Sequence, residues 1–488
     1  MAERVEGKWA SVRAESLLKN FRTAGKLFIH YMTVSKKQEA HGLGKKMRLL
    51  PLVGATYFMV AGGPYGLEDI IGKAGYGRAL LLLLTIPLVW SLPTSLMVGE
   101  LASSIPAEGG YYEWVRRALG GFWGFQEAWL SLTASIFDMA LYPVTFVLYL
   151  GKIAPAWTDG HRGTLWALAV VVGCGVWNLR GAKAVGGGSV GLFAVMLSPF
   201  AVLIGMGLWR GFGVHGAGLH ALAGGTATPD MAAAVSVCLW NYMGWDNAST
   251  IAQEVDNPQR TYPRAMLIAA ALAAATYVLP LAAVAVAGIP AEQFSTGAWA
   301  DAARVLGGTG WWGVALALAV VVGGTISGVG MFNALMMSYT RIPYALAKER
   351  LLPGVFRRVT KTGVPWLSVL LCGVAWGLAV QLSFERLISI DLVLYGAALL
   401  LEFVALVVLR VKEPEMVRPF RMPGGMVGAV AAGVGPAVLL VFAMWAARDE
   451  KMAGIPALAF AGLLAACGPV IYLVVQATKQ RPNTDFHG

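Results

Sequence analysis

Residues 59–70 read MVAGGPYGLEDI and lie within the first long apolar run of the chain. Its glycines and proline weaken a helix, because glycine loses backbone entropy and proline lacks an N–H donor. The two acids that follow put charge where hydrocarbon cannot solvate it. Lipid cannot satisfy the backbone groups of a broken helix, so such a break persists only where it lines a cavity or protein interior. The stretch therefore predicts a binding surface, with close packing by the glycines as the alternative.

The composition indicates a membrane protein. Of the 488 residues, 57% are hydrophobic and 13% are charged, whereas soluble proteins carry about 25% charged residues. Apolar runs of about 20 residues, enough to cross the hydrocarbon layer, recur from end to end. We expect an all-α polytopic membrane protein with twelve spans, at roughly 48–71, 78–103, 121–150, 163–180, 187–210, 231–253, 264–288, 311–340, 365–383, 386–410, 426–447 and 453–477.

The basic residues predict the orientation of these spans. Most of the 38 lysines and arginines fall on the side that also holds both termini, and the positive-inside rule makes that side cytoplasmic. Topology therefore accounts for the net charge of +11, and no nucleic-acid partner is expected. The expected surroundings are the lipid bilayer of a plasma or bacterial inner membrane. Residues 17–31 space apolar side chains like an amphipathic helix on the membrane face, with a disordered basic tail as the alternative.

A second interrupted span resembles the first. Residues 238–250 read CLWNYMGWDNAST, with a break near Gly244 followed by Asp246 and Asn247. Breaks at corresponding positions of two five-span halves indicate an inverted repeat with a substrate site between them. We expect a cytoplasmic N-tail at 1–46, a first repeat at 47–210, a second at 231–410, accessory spans at 411–477 and a C-tail at 478–488.

Acidic and aromatic residues beside the breaks are candidates for ligand contacts. A charge near the bilayer centre costs at least ~2.5–3.5 kcal/mol on insertion scales, so it is usually retained for function. The candidate acids are Glu68, Asp69, Asp138 and Asp246, and no lysine or arginine lies deep in their spans. They suit an organic cation or a proton relay, unless the first two lie at the interface and the last only caps a half-helix. Aromatic faces attract alkylammonium groups, and the candidates are Tyr65, Tyr142, Trp240, Tyr242 and Trp245.

The sequence lacks the residues that other classes of membrane protein would need. The six histidines lie in tails or loops, and the four cysteines lie in apolar runs. A membrane metal site or a nucleophile–base pair therefore has no candidates, and we expect no metal, no cofactor and no enzymatic activity. A simple channel would not need paired discontinuous helices, and a receptor-like sensor would usually carry an added soluble domain.

Four longer motifs carry a resemblance to a known family. They are GELASSIPAEGGYYEWVRRALGGFWGFQEAW (99–129), WDNASTIAQEVDNPQRTYPRAM (245–266), SYTRIPYALAKERLLP (338–353) and LRVKEPEMVRPFRMP (409–423). Together they resemble the amino acid–polyamine–organocation (APC) transporters, from about residue 50 to 425. GGPYGLED, FDMALYPV and NYMGWDNAST look most like the plant-type polyamine uptake transporters. The L-type amino acid transporters are a more distant match.

The resemblance implies twelve helices in the five-plus-five inverted repeat of the leucine-transporter-like (LeuT-like) fold, with alternating access. It places the substrate site between the unwound centres of spans 1 and 6. The matching positions are Gly62, Gly63, Pro64, Tyr65, Trp240, Asn241, Tyr242, Gly244 and Trp245. A cytoplasmic gate would include Glu254, Arg260 and Arg341.

Two departures from the family pattern bear on the substrate. Amino acid carriers of the family commonly have Gly-Ser-Gly or Gly-Ala-Gly in span 1, whose amides hold a carboxylate; here Pro64 removes one amide. Some proton-coupled members carry a lysine near the position of Met196, and its absence makes Glu68 or Asp69 the candidate for proton coupling. L-type relatives bind an accessory subunit through a cysteine, but no cysteine lies in a predicted extracellular loop, so no such subunit is expected.

The leading hypothesis is a secondary transporter that imports polyamines or related organic cations. Protons or the membrane potential would drive it, the latter contributing ~2.3 kcal/mol per charge per 100 mV. The alternative is an amino acid permease or exchanger of the same fold, in which Gly62 and Gly63 still offer amides to a carboxylate.

Overall fold

The computed structural model describes residues 46–214, 228–381, 384–452 and 454–480. The predicted amphipathic stretch at 17–31 lies outside these residues, as does most of the predicted C-tail. Within the described ranges, eight helices are long and apolar enough to cross a membrane. Two further apolar helices are shorter, Leu49–Val60 and Trp366–Ala379. The chain is therefore a multi-pass membrane protein, while the count of twelve spans and the inverted repeat stay predictions.

The first half of the described chain is helical, because only a hydrogen-bonded helix satisfies the backbone of an apolar run in lipid. Its helices are α1 (Leu49–Val60), α2 (Glu68–Ala74), α3 (Tyr76–Val89), α4 (Ser91–Ser104), α5 (Tyr111–Leu119), α6 (Gly121–Ile153), α7 (Pro155–Thr158), α8 (His161–Asn178) and α9 (Ala182–Leu208). A π-helical turn, Trp209–Val214, follows α9.

The second half continues with helices and one short hairpin. The helices are α10 (Met231–Asn241), α11 (Pro258–Val286), α12 (Ala298–Gly307), α13 (Trp311–Tyr339), α14 (Arg341–Lys348), α15 (Trp366–Ala379), α16 (Phe384–Lys412), α17 (Gly425–Ala446) and α18 (Ala457–Gln480). Strands β1 (Lys451–Met452) and β2 (Ile455–Pro456) pair antiparallel between α17 and α18. Short 3₁₀ segments occur at Asp246–Thr250, Ala252–Glu254, Ala291–Gln293, Gly354–Arg357 and Ala447–Asp449.

The helix α6 organises the packing around the interior. It has 33 residues, well above the roughly 20 that a membrane crossing needs. It packs most extensively against α13 and α16, and it also contacts α5 and α18. The short helix α1 packs on α9, α11 and α13. The helices α6 and α16 therefore share a large contact, and this contact positions the site described below.

A buried ion-pair network fixes the segment between α16 and α17. The Glu100 carboxylate of α4 accepts hydrogen bonds from Arg410 Nη2 at 2.5 Å and from Met422 N at 2.7 Å. Arg418 Nε lies 3.2 Å from the same carboxylate. Because Glu100 and Arg410 are both fully buried, each charge depends on the other for solvation. The network joins two stretches that are far apart in the chain.

Candidate functional site

The first break lies between α1 and α2, at residues 61–67. Gly63 and Gly66 have φ of 73° and 90°, a region that residues with a side chain avoid. The carbonyl of Gly62 accepts a hydrogen bond from Ser327 Oγ at 2.7 Å. The carbonyl of Pro64 accepts one from Trp299 Nε1 at 2.7 Å. The sequence predicted an interruption here, and the structure shows it, but these two freed carbonyls already have partners on α13 and α12.

The second break follows α10, whose first turn is capped by the Asp230 side chain accepting from Ala233 N at 3.0 Å. The helix ends at Asn241, and the backbone reverses at Gly244, where φ is 94°. The chain then resumes as the 3₁₀ segment Asp246–Thr250 rather than as an α-helix. This interruption was also predicted, and its second half is wound more tightly than the sequence indicated.

The two breaks touch each other. Asn241 Nδ2 donates a hydrogen bond to the Gly66 carbonyl at 3.4 Å. A Cβ added to Gly66 would lie 3.2 Å from the Trp240 ring, and one added to Gly244 would lie 2.3 Å from the Met59 carbonyl oxygen. The glycines are therefore needed for space as well as for conformation. These contacts bring two stretches separated by many helices into one place.

Asp138 of α6 faces the second break. Tyr142 Oη donates to Asp138 Oδ1 at 2.5 Å, and Trp240 Nε1 donates to the same oxygen at 3.3 Å. The rings of Tyr142 and Trp240 stack with centroids 6.1 Å apart. Asp138 is only 3% exposed. The structure thus brings together an acid and two aromatic residues that the sequence had singled out.

Asp246 starts the 3₁₀ segment and is 2% exposed. Its Oδ1 accepts a short hydrogen bond from the Tyr395 hydroxyl of α16. The same hydroxyl accepts from the Gly244 amide at 2.8 Å. Tyr395 was not singled out in the sequence, because nothing local marks one tyrosine of an apolar run as the partner of a distant break.

Glu68 and Asp69 close the end of the first break that adjoins α2. Glu68 Oε2 accepts from Gly66 N at 2.7 Å, and its Oε1 accepts from Gly297 N at 3.2 Å and from the Tyr149 hydroxyl. Asp69 accepts from Thr296 Oγ1 at 2.8 Å. Both acids therefore hold the loop before α12 onto the break.

Three other predicted aromatic residues brace the breaks. Tyr65 Oη donates to the Val320 carbonyl at 2.6 Å, and Tyr242 Oη donates to the Leu83 carbonyl at 2.9 Å. Trp245 Nε1 donates to the Tyr242 carbonyl at 2.9 Å. All three side chains are buried. Their polar atoms donate hydrogen bonds to backbone carbonyls, so these three residues stabilise the walls of the site.

Met196 of α9 packs against the first break. A Cβ on Gly63 would lie 3.1 Å from its Cε. The position at which some family members are expected to carry a lysine is thus occupied by an apolar, fully buried side chain. No charge enters the break from α9 at this point.

Two of the three residues of the predicted gate, Glu254 and Arg341, form an ion pair with each other. Arg341 Nε donates to Glu254 Oε1 at 3.0 Å, and the arginine is fully buried. Arg260 is exposed near the start of α11 and forms no ion pair within the described part of the chain. A second pair nearby, Lys348 Nζ to Glu108 Oε2 at 3.0 Å, was missed in the sequence. Burial raises the pKa of the Glu108 carboxyl, and Lys348 opposes that effect.

Three further buried acids were also missed, Glu127 on α6 and Asp391 and Glu402 on α16. Each is at most 1% exposed. The signal was available, since each is an acid inside an apolar run, and such residues are functional candidates by default. Their relation to the breaks depends on the packing of α6 against α16, which no local pattern gives.

The carboxylates around the breaks lack positive partners. Among the residues that the structure describes, no Lys, Arg or His lies within ion-pair distance of Asp138, Asp246, Asp391, Glu127 or Glu402. Burying an unpaired charge costs several kcal/mol even after relaxation. The part of the interior that the structure describes therefore holds several acids that have no fixed positive partner.

A cavity of about 360 Å³ lies beside α2 and α10. Its lining includes the acids Asp69, Asp230 and Glu450, together with Lys73. Acids outnumber bases on its walls, and Asp69 connects the cavity to the end of the first break that adjoins α2.

Comparison with known proteins gives one family. Residues 53–467 match the model of the amino acid permease family. A probable polyamine transporter of Arabidopsis thaliana is 33% identical over 401 residues, which cover 81% of this chain and 78% of the relative. The polyamine transporter PUT1 of Oryza sativa subsp. japonica is 33% identical over 407 residues, 81% of this chain and 73% of the relative. The serine/threonine exchanger SteT of Bacillus subtilis is 26% identical over 335 residues, 64% and 71% of the two chains.

Proposed function

The chain belongs to the amino acid permease family, and we propose that this membrane transporter imports polyamines or related organic cations by alternating access. It is a transporter and not an enzyme. The observation that carries the substrate proposal is the set of buried carboxylates beside the two breaks, which have no cationic partner in the described residues. A bound ammonium group would supply the missing charge.

The groups around Asp138 suit an alkylammonium ligand. The carboxylate can accept further hydrogen bonds, because an ionised carboxylate has about four acceptor sites. The stacked rings of Tyr142 and Trp240 offer faces to a cation, an interaction of about 0.5–2 kcal/mol depending on desolvation. Asp246 lies on the second break and can contact a neighbouring ammonium group. The names of the two plant relatives agree with this substrate class.

Pro64 supports a substrate without a carboxylate. It removes one of the amides that the first break would otherwise offer, and its carbonyl is held by Trp299. The rival proposal is an amino acid permease or exchanger, which the likeness to the Bacillus exchanger supports. In that case the amides of Gly62 and Gly63 would hold the carboxylate.

Glu68 is our candidate for proton coupling. It accepts from the amides of Gly66 and Gly297, so protonation would weaken the closure of the outer loop. Asp69 is the second candidate, through Thr296. We further propose that both termini are cytoplasmic, so that the ion pair of Glu254 and Arg341 closes the inner path. The 360 Å³ cavity beside α2 would then lie on the outer side, where it can collect cations.

Charge removal at the site tests the proposal. We would measure uptake of labelled putrescine and of labelled serine by purified protein in liposomes, for the wild type, Asp138→Asn and Asp246→Asn. Loss of one buried charged contact is worth about 1.5–3 kcal/mol, so putrescine uptake should fall at least about tenfold in each variant. The matched control is Asp159→Asn, which removes an exposed acid in the loop before α8.

The two proposals give different results in this assay. Polyamine import is supported if putrescine uptake collapses in both site variants and stays at the wild-type level in the control. A wild-type protein that takes up serine but not putrescine, and keeps that uptake in both variants, would establish the amino acid alternative.

A further inference from the structure

Four of the buried acids are arranged at two levels along a pair of packed helices. α6 carries Glu127 and Asp138, and α16 carries Asp391 and Glu402. In each helix the two acids are eleven residues apart, which is three turns and about 16 Å along the axis. Three turns return a side chain to nearly the same face. The two helices pack against each other, so both levels lie on one pair of neighbouring helices.

Their electrostatic neighbours connect the two levels through Asp246. Asp391 interacts with Asp138 and Asp246. Glu402 interacts with Glu127 and also with Asp246. Asp391 is therefore grouped with Asp138, Glu402 is grouped with Glu127, and Asp246 lies near both groups. We call these five carboxylates the acidic track.

Several oxygens of the acidic track have no hydrogen-bond partner within the described chain. These are both carboxylate oxygens of Asp391, both of Glu402, and Oε2 of Glu127. All three side chains are more than nine-tenths buried. The remaining Glu127 oxygen accepts from Ser131 Oγ at 3.1 Å. Buried polar groups normally have hydrogen-bond partners, so these oxygens are free to accept from a donor such as an ammonium group.

The spread of the track indicates an extended ligand and not a compact ion. No group of three or more His, Cys, Asp or Glu in the described residues is close enough to hold a metal ion. A linear polyamine carries its charges at intervals along a flexible chain. From ordinary bond lengths and angles, its terminal nitrogens are about 6 Å apart in extended putrescine and about 16 Å apart in extended spermine.

We propose that the acidic track binds one extended polyamine lengthwise, and that Glu127 and Glu402 form a second subsite for its far ammonium group. This inference rests on the proposed function and adds to it a preference for chain length. Spermine reaches from the pair of Asp138 and Asp391 to the second subsite, with an inner nitrogen near Asp246. Putrescine is too short to contact both levels.

Binding of polyamines of two lengths tests the second subsite. Dissociation constants for putrescine and spermine would be measured on purified protein, for the wild type and for the double variant Glu127→Gln/Glu402→Gln. The double variant should bind spermine at least about tenfold more weakly, because it loses contacts between the far ammonium group and two charged side chains. Putrescine binding, which depends on the other level, should change by no more than about threefold. Asp159→Asn again serves as the control.

The outcomes separate this inference from the proposed function. Equal losses for the two polyamines, or no loss for either, would overturn the second subsite while leaving polyamine transport intact. If the double variant fails to fold, the wild type alone tests the inference, because the acidic track requires spermine to bind more tightly than putrescine. Equal dissociation constants of the wild type for the two polyamines would overturn it. A wild type that binds neither polyamine but binds serine would overturn the proposed function and the track together.

Discussion

The Tyr395 hydroxyl lies between two groups of the second break, the Asp246 carboxylate and the Gly244 amide. This hydroxyl donates to Asp246 and accepts from the Gly244 amide at 2.8 Å. One oxygen atom thus orients a carboxylate and fixes a backbone turn. The aromatic ring itself is buried against Trp90. Both hydrogen bonds depend on this hydroxyl group and not on the bulk of the side chain.

Tyr395→Phe should keep the packing and lose both hydrogen bonds. Leaving a buried carboxylate and amide without this partner costs about 1–3 kcal/mol, so we expect about a tenfold loss of putrescine uptake and a lower unfolding temperature. Tyr472→Phe is the matched control, because its ring packs on Phe122 and Phe125. Uptake by Tyr395→Phe at the wild-type rate would show that the hydroxyl does not position Asp246.

Gly244 is required both for its backbone angle and for space. In Gly244→Ala the new Cβ would overlap the Met59 carbonyl oxygen at 2.3 Å, in addition to the strain of a φ of 94°. Gly288→Ala isolates the strain, since φ there is 76° and no atom lies within 4 Å of the Cβ. The strain costs roughly 1–2 kcal/mol, and the overlap should add about 1–3 kcal/mol. Thermal unfolding of the two variants measures the difference, and equal midpoints would contradict the close approach of the breaks.

At the scale of elements, long-range ion pairs hold helices that are distant in sequence. Glu100 of α4 and Arg410 of α16 are fully buried, and Arg418 and Met422 of the following segment join them. By contrast, Arg117 and Glu413 pair at 2.6 Å with both side chains partly exposed. The two ion pairs have similar distances, and their different exposure to solvent determines how much each one contributes to stability.

Glu100→Gln should destabilise the protein far more than Glu413→Gln. Removing one partner of a buried pair costs about 3–5 kcal/mol, because the remaining arginine charge stays buried. An exposed pair is worth about 0–1 kcal/mol. Thermal unfolding in detergent compares the two variants directly. Similar unfolding temperatures would mean that water or lipid solvates Arg410 when Glu100 loses its charge.

At the scale of the whole molecule, the interior is acidic while the chain as a whole carries a charge of +11. The basic residues lie mainly in the tails and loops, and the unpaired acids lie deep in the bundle. If the substrate is a cation, as we propose, the membrane potential acts on it directly.

The membrane potential should drive accumulation in proportion to substrate charge. An inside-negative potential of 100 mV contributes ~2.3 kcal/mol per charge, which corresponds to about fiftyfold accumulation for each charge. Imposing that potential on proteoliposomes by a potassium gradient should raise spermidine uptake more than putrescine uptake. The control is the same vesicles with the gradient collapsed. Uptake that does not respond to potential would indicate electroneutral exchange.

The sequence by itself determined the class of protein and the two breaks, and it marked two of the acids on which the proposed ligand chemistry depends. These follow from local physics: apolar runs must be helical in lipid, Gly63, Pro64 and Gly244 interrupt helices, and acids such as Asp138 and Asp246 are costly within an apolar run. Only the tertiary structure decided which side chains meet. It pairs Arg341 and not Arg260 with Glu254, places Tyr395 on Asp246, and packs the helix that carries Glu127 against the helix that carries Glu402. The physical reason is that these contacts join residues far apart in the chain, so helix packing selects the partners and no local pattern encodes them.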